Sequence, residues 1–343
     1  MACLRAVAVL GLLAVLGGAL AISKAARKYS TDVNFVLYLP KGGNVTVKEQ
    51  DAASLVSNPG FDKNLVTVFY MHGYTETPSS ESIAVVSDAF LKRGGYNFIL
   101  VDWSSFNTFP YIRAIYNLYQ LPKPVANTIE AMVKAGLSEK MVWFVTHSMG
   151  SQLGGAVARE LDFAVPRITA LDPAWPGFNF PDIPSLNSGD AEFVDVIHTD
   201  AGFYGFATSV GHIDFWPNRG KRVQPSCPSI LKEFDKRYCS HHMSWRFFAE
   251  SLLSEEAFPA KACGSWKDFA QDACSKDAAV AYMGLLADKN KSLSGNFYLT
   301  TNSKQPYGKQ MTGLHATGEK LQDVVPEVLM VTDWDMVDMK HAQ

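Results

Sequence analysis

Met141-Val142-Trp143-Phe144-Val145-Thr146-His147-Ser148-Met149-Gly150 runs from a solid apolar block into a serine, and the residues after it, 151–159, are small and helix-compatible. The block predicts a strand and the small residues a helix, so the change of direction falls on Ser148. A serine on a sharp strand-to-helix turn holds its hydroxyl clear of the sheet, and the first N–H groups of the helix face an oxyanion. An ordinary turn with a buried serine fits the same residues. The reading therefore depends on whether a base and an orienting carboxylate follow, because an unassisted hydroxyl is a poor nucleophile at neutral pH.

Both follow in chain order. Asp172 closes the next apolar run in Ala170-Leu171-Asp172-Pro173-Ala174, where Pro173 stops the strand and leaves the carboxylate at its C-terminal edge, placed to orient an imidazole. Later histidines that could act as the base are His198, His212, His241 and His242. His198 ends a predicted strand, and His212 sits in Gly211-His212-Ile213-Asp214-Phe215, a structural setting. His241 follows Cys239 and precedes an apolar helix, and it is the preferred base. Upstream, Met71-His72-Gly73-Tyr74 ends another apolar run, and its turn directs the Tyr74 N–H, with that of Met149, toward a developing oxyanion.

Further out, apolar and β-rich runs recur at 34–39, 65–70, 97–101, 141–145, 167–171 and 193–198. Helix-compatible stretches at 80–94, 123–134, 148–161 and 242–253 separate several of them. Continuous rather than alternating hydrophobicity predicts strands covered on both faces, hence an α/β fold with a doubly wound, mainly parallel sheet. A nucleotide-binding version of that fold needs a Gly-rich phosphate loop after an early strand, and Gly42-Gly43 lacks the spacing.

With 343 residues, 47% of them hydrophobic, the chain can bury one large core. Its 31 basic and 34 acidic side chains carry a net charge of −3 without long runs of one sign, which points away from nucleic acid. The apolar run 6–22 after Arg5, with Ala19-Leu20-Ala21 near its end, predicts a signal peptide over 1–21, an uncleaved anchor being the alternative. Cys227, Cys239, Cys263 and Cys274 then form an even set suited to an oxidising compartment. Three pairings are open, and sequential closure into two short loops is preferred over a zinc site because no Cys-x-x-Cys occurs. Asn44-Val45-Thr46 and Asn290-Lys291-Ser292 are glycosylation candidates that agree with export. The expected organisation is a catalytic domain over 22–310 and a C-terminal tail over 311–343.

Across 34–308 the chain resembles the animal pancreatic lipase family, in its α/β-hydrolase fold. The matching strings are His72-Gly73-Tyr74, Val101-Asp102-Trp103, Thr146-His147-Ser148-Met149-Gly150, Leu171-Asp172-Pro173-Ala174, Phe193-Val194-Asp195-Val196-Ile197-His198-Thr199-Asp200, Gly211-His212-Ile213-Asp214-Phe215-Trp216-Pro217-Asn218 and Cys239-Ser240-His241. By position the resemblance puts the triad on Ser148, Asp172 and His241 and the oxyanion donors on Tyr74 and Met149. It also implies that Cys227 and Cys239 close a lid loop and that Cys263 and Cys274 close a second one. The loop over 228–238 and the segment 199–211 are both brief, like those of the phospholipase A1 branch and its insect members.

The resemblance implies a secreted, extracellular serine hydrolase that releases fatty acids from glycerolipids, phospholipids first, at a membrane or lipid-particle surface. No colipase partner is expected, because the C-terminal β-sandwich of the digestive enzymes has no counterpart here. The alternative is a lipid-binding or yolk-storage protein on the same scaffold. Two departures from the family pattern stand out. Thr146 replaces the usual glycine at the start of the elbow, which implies overpacking worth ~1–3 kcal/mol or a shift of the helix. The family's calcium loop keeps Asp190 without clear equivalents of its other ligands, so no metal is expected, and no cofactor.

Overall fold

The apolar blocks become strands because both of their faces find a helical cover. The computed structural model describes residues 32–180, 183–228 and 237–316. Its strands are β1 (Asn34–Tyr38), β2 (Asn44–Lys48), β3 (Val66–Met71), β4 (Tyr96–Asp102), β5 (Val142–His147), β6 (Arg167–Leu171), β7 (Val194–Ile197), β8 (Ile213–Pro217), β9 (Pro259–Ala262), β10 (Val280–Tyr282) and β11 (Gly295–Leu299). They form one sheet in the order β10-β9-β11-β8-β7-β6-β5-β3-β4-β1-β2. Every pairing from β4 through β3, β5, β6, β7 and β8 to β11 is parallel. Antiparallel β1 and β2 finish one side, and β9 and β10 the other. The expected α/β-hydrolase sheet is therefore present.

Helices α1 (Glu81–Arg93), α2 (Tyr111–Leu118), α3 (Pro122–Lys134), α4 (Met149–Glu160), α5 (Cys239–Leu253) and the short α6 (Trp266–Ala270) divide between its faces. Phe69, Met71 and Phe144 pack with Leu118 of α2, Ile129 of α3 and Leu153 of α4. Their strand neighbours Val68, Tyr70, Trp143 and Val145 point the other way, against Phe90 of α1 and Phe248 of α5. This two-sided burial is the reason that the strands read as solid apolar blocks.

Four of the six sequence-predicted strands lie within one residue of their observed bounds, 141–145 starts one residue early and ends two short of β5, 167–171 is reproduced, and β2 and β8 to β11 have no predicted counterpart. Edge strand β2 escaped notice because its side chains alternate between exposed and half-buried, a pattern typical of a one-sided edge. Helix α2 was not anticipated either: Tyr111-Ile112-Arg113-Ala114-Ile115-Tyr116 is rich in β-branched and aromatic residues, and only the burial of Ala114, Ile115 and Leu118 makes it helical. One expectation needs correcting. The last long helix starts at Cys239 rather than at 242, so His241 lies in its first turn and not in a preceding loop.

The disulfides are sequential, Cys227–Cys239 and Cys263–Cys274. Packing continues slightly beyond 310, where the Thr300 N–H donates to Gly313 O at 2.9 Å and Leu314 is buried. The predicted signal peptide and most of the predicted tail lie outside the described residues. Among those residues no helix is long and apolar enough to cross a membrane.

Candidate active site

Ser148 stands between β5 and α4 with φ 55° and ψ −123°, a left-handed conformation that L-residues adopt only where the surroundings impose it. The imposition is visible. Ser148 N–H donates to Leu171 O at 3.0 Å, and Ser148 O accepts from Ser151 and Ala174 N–H at 3.0 Å each. Gly150 passes so close to β3 that a Cβ would come within 2.2 Å of Met71 O, so a larger residue is excluded there. Thr146 fits beneath the elbow through two contacts. Its methyl faces Gly154, where a Cβ would come within 2.7 Å, and its Oγ1 lies 3.0 Å from Ser151 Oγ and 3.3 Å from Thr169 O. Gly154 on the helix thus leaves the room that the Thr146 methyl occupies.

Asp172 leaves β6 with φ 47°. Its Oδ2 lies 2.5 Å from His241 Nδ1, while Oδ1 accepts from the N–H groups of Thr199 at 2.7 Å and Asp200 at 3.1 Å. The carboxylate rests on Gly205, where a Cβ would lie 2.4 Å from Oδ1. Behind it, buried Asp200 takes both arms of Arg222, Nε to Oδ1 at 2.7 Å and a terminal nitrogen to Oδ2 at 2.6 Å. Burial pushes the Asp200 carboxyl up to about 6; Arg222 offsets part of that rise and the neighbouring Asp172 adds to it. Asp172, Asp200 and His241 bring their ligand atoms within 4.8 Å of one another, as a metal site would. These atoms are already engaged with each other and with Arg222. Asp190, retained from the family's calcium loop, instead holds Arg159 at 2.6 Å and the Asn187 N–H at 3.0 Å.

The structure sorts the candidate histidines. His198 has both ring nitrogens occupied, Nε2 by Asp214 Oδ1 at 2.8 Å and Nδ1 facing Phe206 O at 3.2 Å, and stacks on Trp216 at 3.8 Å. His212 accepts the Val194 N–H at 3.0 Å. Both serve the fold. His241 lines the same cavity as Ser148, and His242 lines it too, partly buried beside His147 and His241. Burial, reinforced by those two rings, lowers the His242 pKa to about 3, so it stays neutral at ordinary pH.

The cavity has a volume of about 730 Å³. One end is apolar, with Ile112 and Ile115 of α2 facing Trp175 and Phe180, and Tyr111 Oη donating to Pro176 O at 2.9 Å. The other end is polar and lies between α1 and α5, where Glu76, Ser82, His147 and His242 meet. Met149, as first residue of α4, has a backbone N–H that no carbonyl within the helix can take, and Tyr74 follows β3 on the cavity wall. Trp175 and Tyr204 line the cavity, while Phe206 and Trp216, the latter in β8, are core. The glycosylation candidates Asn44 and Asn290 are exposed.

Glu76 and Trp245 were not singled out in the sequence. Glu76 is partly buried, three residues past Gly73, and its carboxylate joins the Gly73 N–H, Ser82 Oγ and His147 Nδ1, the last at 3.0 Å. Burial works to raise its pKa, but His147, His72 and Ser82 outweigh burial and hold it well below the usual carboxylate range.

The Lipase family model matches residues 19–307. Similar proteins include pancreatic triacylglycerol lipase of Sus scrofa, 29% identical over 303 residues, 81% of this chain and 67% of that protein. Pancreatic triacylglycerol lipase of Homo sapiens is 29% identical over 81% of this chain and 66% of its own length, and pancreatic lipase-related protein 2 of Cavia porcellus 29% over 80% and 65%. The chain thus spans about two thirds of the length of these relatives. A phospholipase/carboxylesterase of Dyadobacter fermentans superposes at a TM-score of 0.31 and 13% identity over 50% of this chain and 73% of that one, too distant to bear weight. The family match takes in every strand of the sheet and every site residue described above, and the chain belongs to the Lipase family.

Proposed function

We propose that the chain is a secreted carboxylic ester hydrolase that frees fatty acids from glycerolipids by a serine acyl-enzyme mechanism. The observation that carries the reading is the buried His241–Asp172 pair, at 2.5 Å, on the wall of the cavity that Ser148 enters from a positive-φ elbow. His241 takes the proton of Ser148 as the oxygen attacks the ester carbonyl, and Asp172 fixes the tautomer and balances the imidazolium. The Tyr74 and Met149 N–H groups hold the oxyanion, such donors being worth about 3 kcal/mol each. His241 then protonates the departing alcohol, and water attacks the acyl-enzyme to release the acid.

The apolar end of the cavity suits an acyl chain, and Ile112 and Phe180, both partly exposed, suit contact with a membrane or lipid particle. Phospholipid as the substrate is supported by the brief segments 199–211 and 228–238 of the phospholipase A1 resemblance. Export is supported by the two disulfides. Replacing Ser148 by Ala abolishes hydrolysis of phosphatidylcholine, galactolipid and triolein, whichever the enzyme prefers, and abolishes labelling by a fluorophosphonate probe. Wild-type turnover or labelling in that variant rejects the assignment.

A further inference from the structure

β3 and β5 are parallel neighbours that pair Met71 with Thr146, so the turns that leave them, 73–76 and 147–149, start side by side at one end of the sheet. They meet at Gly73, where a Cβ would come within 2.9 Å of His147 Nδ1 and 3.0 Å of Ser148 Cβ. The first of these turns is not at rest by itself. Thr75 takes φ 59°, a left-handed conformation that is costly for a β-branched residue and persists only where its surroundings hold it.

What holds it is the Glu76 carboxylate. An ionised carboxylate only accepts, so the Gly73 N–H and His147 Nδ1 both donate to Oε2, the latter at 3.0 Å, while Ser82 Oγ of α1 donates to Oε1. One oxygen thus joins the residue before Tyr74 to the residue before Ser148. The carbonyls of the same turn are tied as well: His72 O accepts from Trp103 Nε1 at 3.1 Å, and Gly73 O accepts from Asn107 Nδ2. A planar trans peptide carries its N–H opposite its carbonyl, so pinning Gly73 on both sides sets the direction of the Tyr74 N–H.

We propose that Glu76 is a positioning residue for the reaction at Ser148, clamping the Tyr74 N–H at the spacing from the Met149 N–H that a tetrahedral oxyanion needs. The inference rests on the acyl-enzyme reading, in which those two N–H groups hold the oxyanion. Glu76 acts through Gly73 and His147, not on the substrate itself. Without its carboxylate Thr75 is released from its left-handed conformation, the turn relaxes, and the Tyr74 N–H swings off the oxygen. The loss falls on the transition state, where the charge on that oxygen develops.

The test compares ethyl decanoate with ethyl thionodecanoate, in which sulfur replaces the carbonyl oxygen alone, in the full-length protein. A well-aligned pair of N–H donors favours oxygen, the smaller and stronger acceptor, and a misaligned pair loses that preference. The ratio of kcat/KM for the oxygen ester over the sulfur ester falls about tenfold in Glu76→Ala, a part of what removing a donor outright would cost. In Glu76→Asp, which keeps the charge but falls one methylene short, it drops about threefold, and this variant carries the test if Glu76→Ala fails to fold. A purely structural role slows both esters alike and leaves the ratio at its wild-type value, and that result overturns the proposal. Ser148→Ala separates the two levels. If it leaves both esters hydrolysed, the acyl-enzyme reading fails and the clamp with it; an unchanged ratio in the Glu76 variants, with Ser148→Ala inactive, removes the clamp alone.

Discussion

Two buried histidine–aspartate pairs lie in this molecule at nearly the same separation. His241 and Asp172 are 2.5 Å apart, His198 and Asp214 2.8 Å. What differs is the far side of each ring. His198 is closed on both nitrogens and stacked flat on Trp216, whereas His241 lines a cavity together with a serine held in a strained turn. A histidine–carboxylate pair is thus no signature of catalysis. What separates the two is what the imidazole faces, since both aspartates are anchored by backbone donors, Asp172 by Thr199 and Asp200 and Asp214 by Val210 and Gly211.

The same substitution in each pair should break them in opposite ways. Asp172→Asn lowers turnover on a short ester roughly 10⁴-fold by favouring the wrong tautomer. It leaves stability little changed, since an amide oxygen still accepts the two N–H groups and a like charge beside Asp200 is removed. Asp214→Asn does the reverse. It weakens a carboxylate that also holds the Val210 and Gly211 N–H groups, costing about 1–3 kcal/mol in urea unfolding, while folded molecules turn over within about twofold of wild type. Equal effects of the two substitutions on turnover would erase the distinction.

His242 sharpens the comparison from within the cavity, because it adjoins His241 yet has no carboxylate of its own to hold a proton. Its folded pKa of about 3 lies below the unfolded value near 6.5. Below about pH 6.5 the unfolded chain therefore takes up a proton that the folded chain refuses. Stability falls as pH drops toward 3, by roughly 3 kcal/mol from this group at pH 4. His242→Gln flattens that slope in denaturation curves between pH 7 and 4. An unaltered slope would mean that the ring is protonated where it stands.

The smallest effect concerns the turn that presents Ser148. Gly154→Ala drives a methyl to within 2.7 Å of Thr146 Cγ2 and costs ~1–2 kcal/mol. Adding Thr146→Gly recovers much of it, as a double-mutant cycle in urea would measure. Additive losses would show that the two residues do not share this space.

Much of this was legible along the chain. Parallel strands buried on both faces leave continuous apolar blocks, and the serine, aspartate and histidine stand at the ends of blocks or beside a cysteine, where periodicity breaks. His241, the preferred base, lines the cavity with Ser148 as His242 does and His198 does not, and the helix that carries it begins three residues earlier than its apolar pattern suggests.

What the sequence determined by itself was strands β1 and β3 to β7 of the sheet and the order of the candidate reactive groups along the chain, because hydrophobic period and turn chemistry are local properties. Only the tertiary structure decided that Gly154 makes room for Thr146, that Arg222 neutralises Asp200 behind the pair, and that His147 and Trp245 reach the same wall. These relations join residues from 8 to 98 positions apart, and no period or spacing in a single sequence encodes which distant side chains must share a volume or a charge.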